Sequence, residues 1–130
     1  MRLYIFNYDM INEKVNILSK FSNLENLTDT ADLISEISNS NENYINFYWL
    51  GKRAYNPIWK LQKKIHELRV NKKIGDVILL LEHNHVYTLG KNADENHILP
   101  SRPKNTDIVR IDRGGDVTYH GPGQLVGYPI

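Results

Sequence analysis

Five consecutive apolar residues, Val77-Ile78-Leu79-Leu80-Leu81, lie between Gly75-Asp76 and the polar run Glu82-His83-Asn84-His85. A run of strand length that does not alternate with polar residues predicts a central strand covered on both faces. Upstream, Ile58, Leu61, Ile65 and Leu68 form an apolar stripe at helical spacing, with Lys60, Lys63, Lys64 and Glu67 mostly facing water. Asn56 is the expected cap of this helix, Pro57 suits its first turn, and the run ends near Asn71. Tyr44 to Leu50 is aromatic and β-branched enough for a strand, closed by Gly51. Val86 to Leu89 reads as a continuation or neighbour of the 77–81 strand, and Asp107 to Ile111 as a third strand that leads into Arg113-Gly114-Gly115. Leu125 to Ile130 reads as the opening of a fourth. Strands mixed with one clear helix favour an α+β fold with a mixed β-sheet over a doubly wound one.

The first 43 residues have a different character. Ile11, Val15, Leu18 and Phe21 keep helical spacing behind Asp9, predicting a helix over Met10–Phe21, and Ala31 to Ile37 predicts a second short helix after Asp29. Ser38-Asn39-Ser40-Asn41-Glu42-Asn43 has almost nothing to bury. It therefore reads as a linker between an accessory, partly helical segment over 1–43 and a main domain over 44–130.

Composition narrows the class. The 41% hydrophobic and 24% charged fractions suit an ordinary soluble protein, and no apolar run approaches the ~20 residues a membrane span needs. The N-terminus has no recognisable export signal, so a cytoplasmic location without membrane contact is expected. With no cysteine, the 130 residues contain no disulfide, thiolate zinc ligand or thiol nucleophile. Basic residues outnumber acidic ones only mildly after residue 50, too weak a field to argue for nucleic acid.

The densest chemistry is Arg113-Gly-Gly-Asp-Val-Thr-Tyr-His-Gly-Pro-Gly-Gln124. Glycines let a ligand approach the backbone, and Arg113, Thr118, Tyr119, His120 and Gln124 supply polar groups within a short span. Phosphate-loop patterns fail: Gly121, Gly123 and Gly127 miss the dinucleotide spacing, and Tyr128-Pro129 opposes a following helix. His83 and His85, with His120, would offer three imidazoles to a zinc ion, although a strand-end histidine is more often satisfied by a backbone or carboxylate partner. The whole stretch also reads as a glycine-proline turn between two strands.

The order of residues separates these readings. Arg113-Gly114-Gly115, Thr118, His120, Pro122-Gly123-Gln124 and Tyr128-Pro129 follow, without gaps, a block that resembles the octanoyltransferases of lipoate biosynthesis, the lipoate-protein ligase B family. Leu50-Gly51, Tyr55, Gln62, Leu80-Leu81-Glu82-His83 and Val86-Tyr87-Thr88-Leu89-Gly90 fall in the family's order, and the resemblance covers about Phe47 to Ile130. Asn84-His85 departs from the two prolines of many members and replaces none of the recognised residues.

The resemblance implies the biotin/lipoate protein ligase catalytic fold. It also implies transfer of octanoyl from acyl carrier protein, through a cysteine thioester, to a lysine on lipoyl domains of 2-oxo-acid dehydrogenases or the glycine-cleavage H protein. No cofactor, metal or nucleotide is implied, since a thioester already carries the activation. The substrate-binding stretch would be Arg113, Gly114, Gly115, Asp116, Val117, Thr118, Tyr119 and His120, with Tyr55 and His83 lining the same pocket. The family's catalytic Lys and Cys match no position here and are expected beyond Ile130, so the chain is expected to be an N-terminal part, inactive alone. Two rivals remain: an ATP-dependent lipoate or biotin ligase, and a non-catalytic binding fragment whose Lys60, Lys63, Lys64, Lys72 and Lys73 face an acidic carrier protein.

Overall fold

The computed structural model describes residues 18–130. Seven strands and two helices follow in the order β1 Leu18–Asn23, α1 Thr30–Ile37, β2 Tyr44–Arg53, α2 Tyr55–Val70, β3 Val77–His83, β4 Val86–Leu89, β5 Asp107–Arg110, β6 Val117–His120 and β7 Val126–Pro129. They form two mixed sheets, a four-stranded one in the order β1-β2-β3-β7 and a three-stranded one in the order β5-β4-β6. The architecture is α+β, as the mixture of strands and helix predicts.

In the larger sheet, β1, β2 and β3 run parallel, and β7 returns antiparallel to β3. Parallel neighbours need a crossover, and α1 and α2 provide the two. The helices pack side by side, sharing one core in which Ile37, Leu50, Leu61, Ile65 and Leu79 are fully buried. Each such side chain contributes about 1.5–3 kcal/mol of burial. The α2 stripe is as expected, with Leu68 half-buried at its end. Ala54 caps α2 without a side-chain bond, so Asn56 lies inside the first turn beside Pro57 instead of capping it.

Several expectations are corrected. The predicted 10–21 helix falls outside the described residues up to 17, and beyond that its end is strand. Leu18 to Asn23 pair with Tyr44 to Trp49, and Phe21 is 64% exposed. A window with four apolar residues did not register this distant pairing. The 31–37 helix is present, with the Asp29 carboxylate accepting from Ala31 N at 2.6 Å.

Ser38 to Asn43 is a structured turn. Ser40 donates its hydroxyl to Ile37 O and accepts from the Tyr48 phenol at 2.7 Å, while Asn46 Nδ2 donates to Asn41 O at 3.0 Å. Residues 24–37 consequently share the core of β2, β3 and α2, with Leu33 and Ile37 buried in it. Polar residues look like a linker in sequence, but here they satisfy backbone groups that burial would otherwise orphan.

β2 continues past Gly51, which has φ +70° at a register shift between Trp49 and Lys52. A β-carbon there would press on Glu25 at 2.9 Å, so glycine makes a bulge where a strand end was expected. β3 alternates between buried Val77, Leu79, Leu81 and His83 and half-exposed Ile78, Leu80 and Glu82, so only one face is fully covered. β4 neither continues β3 nor pairs with it; it is the central strand of the smaller sheet. No helix among the described residues is long and apolar enough to cross a membrane.

Candidate functional site

Where the two sheets meet, four ring side chains from four elements converge. Tyr55 opens α2, His83 ends β3, His120 ends β6 and Tyr128 comes from β7. The Tyr55 and His83 ring centroids are 5.0 Å apart, His120 stacks on Tyr55 at 6.4 Å and 12°, and His83 lies 5.7 Å from His120 and 6.0 Å from Tyr128. Residues 73 apart in sequence are thus brought together.

His83 is fully buried. Its Nδ1 lies 3.2 Å from Arg53 O, a group that can only accept, so Nδ1 carries the proton. The Nε2 lone pair then takes the Tyr128 hydroxyl at 2.8 Å. Burial pushes the imidazole pKa below its ordinary value; the Arg53 carbonyl opposes the shift and neighbouring His120 adds to it. His83 is held neutral. Burial also raises the Tyr128 phenol well above the usual range, helped by Tyr55, so it acts as a proton donor to His83 and does not ionise. Tyr55 is raised too, by burial, with Arg113 partly offsetting the shift.

The glycine-rich stretch is built around Arg113. Its Nη2 lies 2.9 Å from each of Thr88 O, Thr88 Oγ1 and Thr118 Oγ1, and Nη1 donates to Gly114 O at 2.9 Å. One planar guanidinium therefore joins β4, β6 and the loop between β5 and β6. The loop also rests on Gly90, whose N–H donates to Asp116 O at 3.1 Å. A β-carbon at Gly90 would collide with the carbonyl of Gly115, so the chains approach this closely only with glycine there. Over Gly114, nothing lies within 4 Å of where a side chain would begin.

The residues of 113–120 do not form one surface. In sequence Val117 to His120 looks like part of a polar loop; in the structure it is a strand paired antiparallel to β4, and pleating divides its side chains. Thr118 and His120 share the face of Val86 and Thr88, towards Tyr55. Val117 and Tyr119 take the other face, where Tyr119 meets Tyr87 at 5.3 Å and its hydroxyl lies 2.6 Å from His85 Nδ1. Asp116 turns outward, its carboxylate bonding His97 Nδ1 at 2.5 Å and accepting from Asp94 N at 3.2 Å.

His83 and His85, two apart in sequence, serve different sheets, because the chain leaves β3 between them. Among the described residues no group of three or more His, Asp or Glu is arranged to hold a metal ion.

Tyr128 was recognised in sequence only as part of a Tyr-Pro pair, yet its hydroxyl completes the His83 contacts. Glu82 enters the sequence reading only within the polar run after Leu81 and the recognised block, and Gln124 enters it in that block and as one of the polar groups of the glycine-rich stretch. Glu82 accepts from Gly123 N at 2.9 Å, and Gln124 Oε1 lies 2.8 Å from His120 Nδ1. Their place in the recognised block was the available signal.

Comparison with known proteins supplies the context. The sequence model described as "Lipoyl protein ligase A/B catalytic domain" matches residues 54–130. Among similar proteins is the octanoyltransferase of Dictyoglomus thermophilum, 52% identical over 83 residues, which cover 61% of this chain and 36% of that one. The octanoyltransferase of Caldicellulosiruptor bescii is 49% identical over 90 residues, 66% of this chain and 40% of that one. That of Acidobacterium capsulatum is 46% identical over 90 residues, 66% and 37% respectively. The chain spans well under half the length of these curated relatives. All four converging rings and the arginine-pinned glycine loop fall inside 54–130, and over that stretch the chain belongs to the lipoyl protein ligase A/B catalytic domain family.

Proposed function

We propose that this chain carries the acyl-recognition part of an octanoyltransferase of lipoate biosynthesis, taking a medium-length acyl thioester at the junction of its two sheets. The observation that carries this reading is the convergence of Tyr55, His83, His120 and Tyr128 beside the Arg113 loop, in a chain whose relatives bear that name. The octanoyl donor would be acyl carrier protein and the acceptor a lysine of a lipoyl domain, in a 2-oxo-acid dehydrogenase or the glycine-cleavage H protein.

In this reading the main chain at Gly114 and Gly115 lies along the acyl group, open above Gly114 and flanked at Gly115 by the Arg113 guanidinium, whose Nη1 lies 3.2 Å from where a β-carbon would stand. Arg113 holds that main chain in shape, and Thr118 secures Arg113. Tyr55 and neutral His83 give the pocket a dry wall, and His120 meets the reacting end. A covalent route through cysteine draws its thiol from outside these 130 residues, which contain none. Naming among the relatives favours transferase over ATP-dependent ligase chemistry, although the matched family spans both.

Titration of octanoyl-pantetheine into the isotope-labelled chain, followed by amide and ring NMR shifts, tests the reading. Shifts are expected at Gly114, Gly115, His120, Tyr55 and His83, without any need for ATP. Absence of binding, or shifts confined to other regions, would overturn it, and binding that requires ATP would favour the ligase. Incubated alone with octanoyl-acyl carrier protein and a lipoyl domain, the chain is expected to transfer no octanoyl group.

A further inference from the structure

His83 and His120 lie 5.7 Å apart and their hydrogen bonds differ in one respect. In His83 both nitrogens are engaged, Nδ1 with Arg53 O and Nε2 with Tyr128. In His120 only Nδ1 is engaged, with Gln124 Oε1 at 2.8 Å, and Nε2 has no protein partner among the described residues. An amide oxygen can only accept, so Nδ1 bears the proton in neutral His120 and the Nε2 lone pair is left free.

Gln124 is fixed in turn. Its N–H donates to Gly121 O at 3.1 Å, closing the Gly121-Pro122-Gly123-Gln124 turn, and Glu82 on β3 anchors that turn by accepting from Gly123 N at 2.9 Å. Gly123, at φ +84°, lets the turn present its amide to Glu82. A carboxylate on the larger sheet thereby positions the amide that orients an imidazole on the smaller one.

We infer that Gln124, held by Glu82 through the turn, is a positioning residue that sets the tautomer of His120, making Nε2 a proton acceptor at the candidate site. Its chemical consequence rests on the acyl-transfer reading above. An incoming neutral lysine amine forms the new C–N bond at the thioester carbon while the C–S bond breaks. The proton lost by nitrogen passes to His120 Nε2, and the departing thiolate takes it back. A neutral His120 with this tautomer accepts from the amine and does not donate to the acyl carbonyl.

Long-range proton–nitrogen correlation NMR on the whole chain at a pH where His120 is neutral tests the tautomer without any transfer assay. The expected spectrum has Nδ1 protonated and Nε2 bare. Gln124→Met removes the acceptor at similar length and is expected to abolish the single Nδ1–H signature, leaving mixed tautomers. Gln124→Glu, which keeps an acceptor, is expected to retain it. His83, held by Arg53 O, should keep its tautomer in both variants and so reports an intact site. An Nε2–H wild-type ring, or a His120 signature unchanged by Gln124→Met, would overturn the inference. Failure of the chain to bind octanoyl-pantetheine while these signatures appear as expected would count against the function and leave the tautomer assignment standing.

Discussion

Along β3, Val77, Leu79 and Leu81 are buried against α1 and α2, whereas along β5, Asp107, Ile108 and Arg110 are all exposed. The larger sheet is stabilised by apolar area. In the smaller one, the buried apolar cluster among the described residues is Tyr55, Val86 and Ile111 with half-buried Trp59 and Val109, and order comes from polar ties. Arg113 joins its strands, while Lys91–Asp112, Arg110–Glu95 and His97–Asp116 attach the 91–97 segment to the chain around the glycine loop. A scaffold built by non-directional burial thus carries a recognition element built by directional bonds, which specify geometry while contributing less stability.

The largest effect should come from the scaffold. Leu61, fully buried on α2, is expected to cost about 2–5 kcal/mol as Leu61→Ala, a drop visible as a lower urea midpoint. Ile108→Ala on the smaller sheet, 44% exposed, should cost well under half as much. Equal losses would break the contrast between the two sheets.

Arg113→Ala tests the polar side. It strips partners from Thr88 and Thr118 together, for an expected loss of about 1–3 kcal/mol, with NMR shift changes concentrated in β4, β6 and 113–116. Arg113→Lys should rescue little, because an ammonium cannot reproduce the planar fork. Full rescue by lysine would mean that charge, and not geometry, holds the loop.

Legibility in sequence divides along the same line. The α2 stripe stands out because its apolar residues repeat at the helical period, and the 77–81 run because it is unbroken; both elements are found where expected, although only one face of β3 is fully covered. Leu18 to Asn23 and Val117 to His120 do not stand out. β1 is specified by pairing with residues 26 positions away, and β6 carries Thr118, Tyr119 and His120, whose polarity resembles a loop until β4 supplies its ladder. At the site, His120, His83 and Tyr55 were recognisable from residue order. The hydrogen bonds of Tyr128, Gln124 and Glu82 were not, because each depends on strands that meet only in the folded chain.

A smaller effect comes from His83, where the two sheets meet. Its folded pKa lies below the ordinary 6.5, chiefly through burial, so the unfolded chain binds the proton more readily. Unfolding free energy should therefore rise with pH between the folded value and 6.5, and stability should fall on acidification through that window. Comparing urea midpoints from pH 5 to 8 for wild type and His83→Gln isolates this contribution, since the variant should lose part of the acid-side slope. An unchanged slope would mean that the ring is not held neutral.

The smallest change should come from the exposed ties. Lys91 Nζ lies 2.6 Å from Asp112 Oδ1, yet the two side chains are 67% and 75% exposed. Attraction across such a pair raises the lysine pKa and lowers that of the aspartate, first through their hydrogen bond and then through their charges. In water and salt most of that attraction is offset by the entropy of holding two mobile side chains together. Lys91→Met is therefore expected to leave the urea midpoint unchanged within error, at low and at high salt. Lys91 N also donates to Arg113 O at 2.9 Å, and the substitution leaves that backbone bond in place. A clear destabilisation that disappears in high salt would show that surface charge, beyond the Arg113 contacts, holds the smaller sheet, and the comparison of the two sheets would then need an electrostatic component on its polar side.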